Sequence, residues 1–322
     1  YYNLVAHSND ILRECSKDGT TVASINSDAL YSYEVPIAPL GEQRRIVNKI
    51  EEYLSKVDAG VSELEEAKQR LEQYRGAVME TAMKGEISSN WRSQNTDQTL
   101  DTDISEIDMS EFDKSPELPA SWKWVQFESV LREKLRNGYS GKKADEGIRT
   151  LTLDAVTNRD FSKEYTKITE TSPEKAEDLW LESGDILIER SNGTTEFVGL
   201  PAVYRGEEDY AIYSDLMIRA RVKEDLVIPE FADYMLLSPF LRRYLINKSK
   251  GSSTMSKINQ KHLRNMPFPL PPIAEQKEIV EELDKDTSIV DGTLADVETE
   301  IKRAKRLRQS VLRNAFQGKL MS

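Results

Sequence analysis

Three short polar segments hold the residues most able to do chemistry. The first is Arg136-Asn137-Gly138-Tyr139-Ser140-Gly141-Lys142-Lys143. The second is Arg190-Ser191-Asn192-Gly193-Thr194-Thr195, and the third is Lys250-Gly251-Ser252-Ser253-Thr254-Met255-Ser256-Lys257. Glycine lets a backbone approach a ligand closely. Ser, Thr, Asn, Lys and Arg bond phosphate oxygens, and Arg, Lys and Asn also match the edges of bases. One such segment is an ordinary surface turn. Three in one stretch of chain, two of them inside basic patches, point toward nucleic acid. By residue type, Arg136, Asn137, Arg190 and Asn192 are the expected base readers. Lys142, Lys143, Lys250, Ser252, Ser253, Thr254 and Lys257 are expected on phosphates, with Tyr139, Ser140 and Ser191 completing the set.

Catalytic signatures are missing. There is no Gly-x-x-x-x-Gly-Lys-Ser/Thr loop, no Gly-x-Gly-x-x-Gly fingerprint, no His-Glu-x-x-His and no Gly-x-Ser-x-Gly. The single cysteine, Cys15, and the two histidines, His7 and His262, cannot make a Cys/His zinc set. The expectation is a non-enzyme that holds no metal and no cofactor of its own.

The overall charge argues the other way from the loops. The chain has 322 residues, 44 Lys+Arg against 56 Asp+Glu, and a net charge of −12, where a nucleic-acid binder usually shows a basic excess. The charge is uneven. Residues 93–120 alone carry a net −7, through Asp97, Asp101, Asp103, Glu106, Asp108, Glu111, Asp113 and Glu117 against Lys114. That stretch reads as a solvated acidic linker, because like charges repel and little there can be buried. Residues 121–270 are neutral overall, and no acid occurs between Tyr234 and Ala274, where seven bases do. No apolar run reaches the ~20 residues of a membrane span, so no membrane partner is expected. With one cysteine, a reducing, cytoplasmic setting is expected. The chain opens Tyr1-Tyr2, which suggests a piece of a longer product.

An internal repeat organises the chain. Shifted by 233 residues, Pro36-Ile37-Ala38-Pro39-Leu40-Gly41-Glu42-Gln43 falls on Pro269-Leu270-Pro271-Pro272-Ile273-Ala274-Glu275-Gln276, and Gly85 falls on Gly318. Each copy continues into a long helix. The first stripe is Val47, Ile50, Leu54, Val57, Val61, Leu64, Leu71 and Val78, interrupted at Lys68 and Arg75. The second includes Val280, Leu283, Val290, Leu294, Val297 and Ile301, interrupted at Thr287 and Arg308. Alternating spacings of three and four are a coiled-coil pattern, so these positions are expected to pack the two helices together. Glu42 and Glu275 sit in first turns, where the helix dipole favours an anion, and Gly85 and Gly318 mark the ends.

The expected domains are 1–41, the closing segment of a first globular domain; 42–92, a coiled-coil helix; 93–117, the linker; 118–270, a second globular domain; and 271–322, a second coiled-coil helix. Within 118–270, strands are expected at 150–155, 186–189, 197–204 and 210–222. A short helix should follow Ser172-Pro173, and one amphipathic helix should span Pro229 to Asn247. The fold class is α+β: one mixed-sheet domain with helices, between two long antiparallel coiled-coil helices.

These features together resemble the DNA-specificity subunit of type I restriction-modification systems. The resemblance rests on the duplicated proline-Glu-Gln segment and on the helix ends Met83-Lys84-Gly85-Glu86-Ile87 and Phe316-Gln317-Gly318-Lys319-Leu320. It rests also on Trp91-Arg92, Leu118-Pro119 with Trp122, Gly184-Asp185-Ile186-Leu187 and Ile258-Asn259. It implies a chain that reads half of a split double-stranded DNA target and uses its helices as a ruler. It also implies docking of two methyltransferase subunits and of translocase-nuclease subunits, which would bring S-adenosylmethionine, ATP and magnesium. Three alternatives stay open: the specificity component of a related Type II-like restriction system, a coiled-coil scaffold whose insert binds protein, and an unrecognised nuclease.

Overall fold

The computed structural model describes residues 1–17, 24–35, 37–100, 102–112, 114–249, 256–317 and 319. The chain opens with helices α1 (Tyr2–Ala6), α2 (Ser8–Cys15) and α3 (Ser27–Tyr31), then the long α4 (Leu40–Met83) and α5 (Ser89–Gln94). Strands β1 (Lys123–Gln126), β2 (Arg136–Asn137) and β3 (Lys142–Leu151) follow, then α6 (Asp154–Thr157), β4 (Thr166–Glu170) and α7 (Pro173–Ala176). Next come β5 (Ile186–Glu189), β6 (Ser191–Asn192), β7 (Pro201–Val203), β8 (Ile212–Tyr213) and β9 (Met217–Ala220). The chain closes with α8 (Pro229–Leu237), α9 (Pro239–Ser249), β10 (Ser256–Lys257), α10 (Gln260–Arg264), β11 (Pro267–Leu270) and the long α11 (Ile273–Phe316). Two compact units emerge: Tyr1–Gln73 with Ile289–Ser322, and Tyr74–Ser288.

In the first unit, α4 and α11 pair antiparallel. Ile50 and Leu54 cluster with Leu312 and Ala315. Beyond them Asp58 meets Arg308 at 3.4 Å, and Lys68 meets Glu298 at 2.6 Å. Thus Lys68 and Arg308, which break the apolar stripe, bridge the two helices. Val57, Val61, Leu64, Leu71, Leu294 and Val297 are half-buried, and Val290 and Ile301 are buried.

Four of the expected packing positions differ. Val47 is exposed, and Ile46 packs beside Ile50 in its place. Ile46, Ile50 and Leu54 are four apart, so the buried stripe starts with two steps of four before the alternation of three and four begins. A helix of 3.6 residues per turn drifts between those spacings. Val78, Val280 and Leu283 belong to the second unit, where they pack into the globular core. A heptad pattern says which helix face is buried, and the domain's apolar side chains can bury it as well as a partner helix.

The second unit is the α+β domain. Its main sheet has the order β2-β9-β5-β7, all antiparallel, and a second sheet has the order β4-β3-β8 with β3 and β8 parallel. Strand β5 is buried on both faces: Ile186 and Ile188 enter one core, and Leu187 enters the other. That explains its unbroken apolar run, since successive strand residues point to opposite faces. The expected single helix from Pro229 to Asn247 is two helices. Ser238 is extended before Pro239, as the residue preceding a proline prefers.

Helix α4 ends at Gly85 (φ +66°), with Glu86 N donating to Thr81 O and Gly85 N to Ala82 O, the double bond pattern of a glycine cap. Gly318 lies outside the described residues. The acidic linker is more than solvated chain. Its described charged side chains are exposed, but Leu100, Ile104, Ile107, Met109 and Phe112 pack on the core, and Ile107 N donates to Trp124 O at 2.9 Å. A few apolar residues spaced along an extended segment can anchor it without helical or strand period. Asp101 and Asp113 lie outside the described residues.

The duplicated motif has a structural task. The Glu275 carboxylate is fully buried and accepts from Trp122 Nε1 (2.9 Å), Ser88 Oγ (2.7 Å) and Arg92. Gln276 accepts from Ile228 N and donates to Leu226 O and Pro271 O. In the first copy Gln43 donates to Ala38 O, the same five-residue reach. Asn26 caps α3 and Asn259 caps α10, again at the repeat offset. The copies differ in cover: Leu245, Ile258, Leu263 and Leu270 are fully buried, whereas their counterparts Leu12, Ile25, Leu30 and Ile37 are exposed.

Candidate nucleic-acid interface

Two of the three polar segments meet at one turn, Ser214-Asp215-Leu216, which joins β8 to β9, and the described end of the third pairs with the second. From the first segment, Gly138 N donates to Met217 O (3.1 Å) and Tyr139 N to Tyr213 O (2.9 Å). Ser140 Oγ accepts from Asp215 N at 3.4 Å. A Cβ on Gly138 would lie 2.2 Å from Ser214 O and 2.3 Å from Tyr213 O, so the close approach requires glycine. From the second segment, Arg190 N donates to Leu216 O (2.7 Å), and Arg190 Nη1 donates to Asp215 O (3.1 Å). The third segment joins the second through the β6–β10 pair, with Ser256 opposite Asn192 and Lys257 opposite Ser191. Ile258 N donates to Arg190 O, and Ser191 Oγ to Ser256 O.

The expected site residues divide into exposed and inward-facing groups. Arg136 and Asn137 are exposed on β2, and Arg136 pairs with Asp178 at 3.0 Å. Lys142 and Lys143 are exposed at the start of β3, and Lys257 is exposed on β10. Tyr139 is half-buried, with the Lys175 ammonium 4.5 Å from its ring centroid and bonded to its hydroxyl. Ser191 is buried. Asn192 departs from the expectation of a base reader. Its amide is already used, Nδ2 donating to Glu189 Oε2 (2.9 Å) and Oδ1 accepting from Thr194 N (2.9 Å). It shapes the second segment instead. Lys250, Ser252, Ser253 and Thr254 lie outside the described residues.

Behind the second segment sits a polar support that the sequence did not reveal. Glu189 is buried and also accepts from Thr157 Oγ1 at 2.6 Å. Burial pushes its carboxyl above the usual range, against the bonds from Thr157 and Asn192. Arg242 donates to Glu196 O, and burial pulls its guanidinium down to about 10. Asp215 was equally missed. The short turn between two strands was visible, but Asp215 serves through its backbone, which no residue type announces. Among the described residues, no group of three or more His, Cys, Asp or Glu could hold a metal ion. No described helix is long and apolar enough to cross a membrane.

A mixed-sheet domain flanked by two long helices has known relatives. Residues 134–303 match the type I restriction modification DNA specificity domain, and the chain belongs to that family. It is 28% identical to the type I restriction enzyme EcoKI specificity subunit of Escherichia coli (strain K12), over 94% of this chain and 61% of that protein. It is 26% identical to the StySPI specificity subunit of Salmonella potsdam, with the same coverage. The chain therefore spans about 61% of the length of these curated relatives. Among solved structures, a chain from work on complex assembly and conformational transition of the type I R-M system shares the fold. Its TM-score is 0.62 at 21% identity, over 99% of this chain and 68% of that one.

Proposed function

We propose that this chain is a non-catalytic subunit that reads one half of a bipartite double-stranded DNA target through residues 118–270. The meeting of the first and second polar segments at Ser214-Asp215-Leu216, with Ser256-Lys257 of the third paired to the second, carries the reading. Arg136, Asn137 and Arg190 face base edges, while Lys142, Lys143 and Lys257 hold phosphates; by residue type Lys250, Ser252, Ser253 and Thr254 are assigned to phosphates as well. The paired α4 and α11 set the spacing between half-sites and dock two methyltransferase subunits, to which translocase-nuclease subunits join. The partners supply S-adenosylmethionine, ATP and magnesium. Residues 1–41 close a second domain of the same kind, whose body would cover Leu12, Ile25, Leu30 and Ile37 as the present domain covers their counterparts.

The test is the methylated-adenine pattern made by the assembled complex, together with duplex binding. Arg190→Ala should relax one position of the target and cost roughly 1–3 kcal/mol on the cognate duplex. Lys257→Ala should weaken all duplexes about equally. Unchanged binding and an unchanged methylation pattern in both variants would refute the assignment.

A further inference from the structure

The bases not used by the three segments collect elsewhere. Helices α9 and α10 border a groove of about 600 Å³ lined by Arg243, Lys248 and Lys261, with Glu111 of the acidic linker on its rim. Tyr244 OH donates to His262 O (3.1 Å), clamping the two helices together. The Arg243 guanidinium stands 5.7 Å from the Phe240 ring centroid, and the Lys248 ammonium 5.6 Å from that of Tyr244. All three cations are exposed, and among the described residues none makes an ion pair. Their neighbours differ: Arg242 is turned inward, and Arg264 pairs with Glu128. Burial lowers the His262 pKa, and the nearby Lys248 and Lys261 lower it further.

The internal repeat shows that the fold does not require this charge. At the offset of 233, Arg243, Asn247 and Lys261 correspond to Asp10, Glu14 and Asp28. The same helices are acidic in one copy and basic in the other, so the charge belongs to the task of this domain. Lys248 lies near the end of α9, close in sequence to Lys257, which pairs against the second polar segment. Three cations against one rim carboxylate suit a row of phosphates, which position a duplex without reading it.

We infer that this groove is a track for the DNA phosphate backbone, flanking the base-reading loops. The inference rests on the function proposed above. The probe is a mixed-sequence 40-bp duplex, titrated with the full chain by fluorescence anisotropy from 50 to 200 mM salt. The triple variant Arg243→Gln, Lys248→Gln, Lys261→Gln should flatten the log–log salt slope by about 2.7, or ~0.9 per phosphate contact. Its affinity should then fall roughly 40-fold less than wild type across that range. The loss should be equal on every duplex, and the melting temperature should hold, since all three side chains are exposed. A wild-type slope retained in the triple variant overturns the inference while leaving the proposed function standing. No salt-dependent retention by the wild-type chain sinks both. Lost binding of polyglutamate with the DNA slope intact would assign the groove to an acidic protein and also overturn the inference.

Discussion

Glu275→Ala removes a carboxylate that three donors share at the start of α11. Its side chain is 1% exposed, and that of its ion partner Arg92 is 23% exposed. Removing it leaves the Arg92 guanidinium largely buried without its anion. Trp122 Nε1 and Ser88 Oγ, both on buried residues, lose their acceptor. Breaking one side of a buried pair costs about 3–5 kcal/mol, because the remaining charge is left uncompensated. At roughly 2–4 °C per kcal/mol for a unit of this size, the melting temperature should fall by roughly 6–20 °C. Thermal unfolding of the full chain by circular dichroism reads this directly. Arg92→Leu combined with Glu275→Leu should recover part of the loss, because no charge then remains buried, although Arg92 also donates to Gly85 O. A cost below about 1 kcal/mol, or strict additivity of the two single changes, would refute the account of Glu275 as the anchor of the duplicated motif.

Two further predictions concern the helix pair and the support under the second loop. Ile50→Ala, in the cluster with Leu312 and Ala315, should cost about 2–4 kcal/mol, whereas Val47→Ala should cost well under 1; equal losses in urea unfolding would restore the simple heptad stripe. Burial raises the Glu189 pKa, so the folded chain holds that proton more tightly than the unfolded one. The stability it contributes is present below the ordinary carboxylate pKa of about 4.3 and is lost as pH rises through the raised value. Wild type should therefore lose stability relative to Glu189→Gln between pH 4 and 7, and parallel urea midpoints across that range would refute it.

Much of this architecture is legible from residue order because its signals are local or periodic. The repeat offset places Gln43 with Gln276 and Asn26 with Asn259, and in each pair the same local bond forms. A glycine at 85 ends α4 through its own positive φ, although a Cβ there would also collide with Pro119 and Trp122. The run Ile186-Leu187-Ile188 announces a strand buried on both faces. Composition marks the acidic stretch but does not show that its apolar residues pack on the domain core.

Tertiary structure decided what each pattern is packed against. The apolar stripe of α4 continues through Val78, but there the domain core covers it in place of a partner helix. Arg242 and Arg243 are adjacent and chemically alike, yet one is half-buried and bonded to Glu196 O and the other faces the groove. Asn192 carried the residue type of a base reader until Glu189 and the Thr194 amide took its hydrogen bonds. Residue type and spacing determine which groups can bond and which helix face is apolar. The partners are assigned only when segments more than a hundred residues apart, such as Ser88 and Glu275, are brought within hydrogen-bond reach. A contact at that separation leaves no period in the sequence to read.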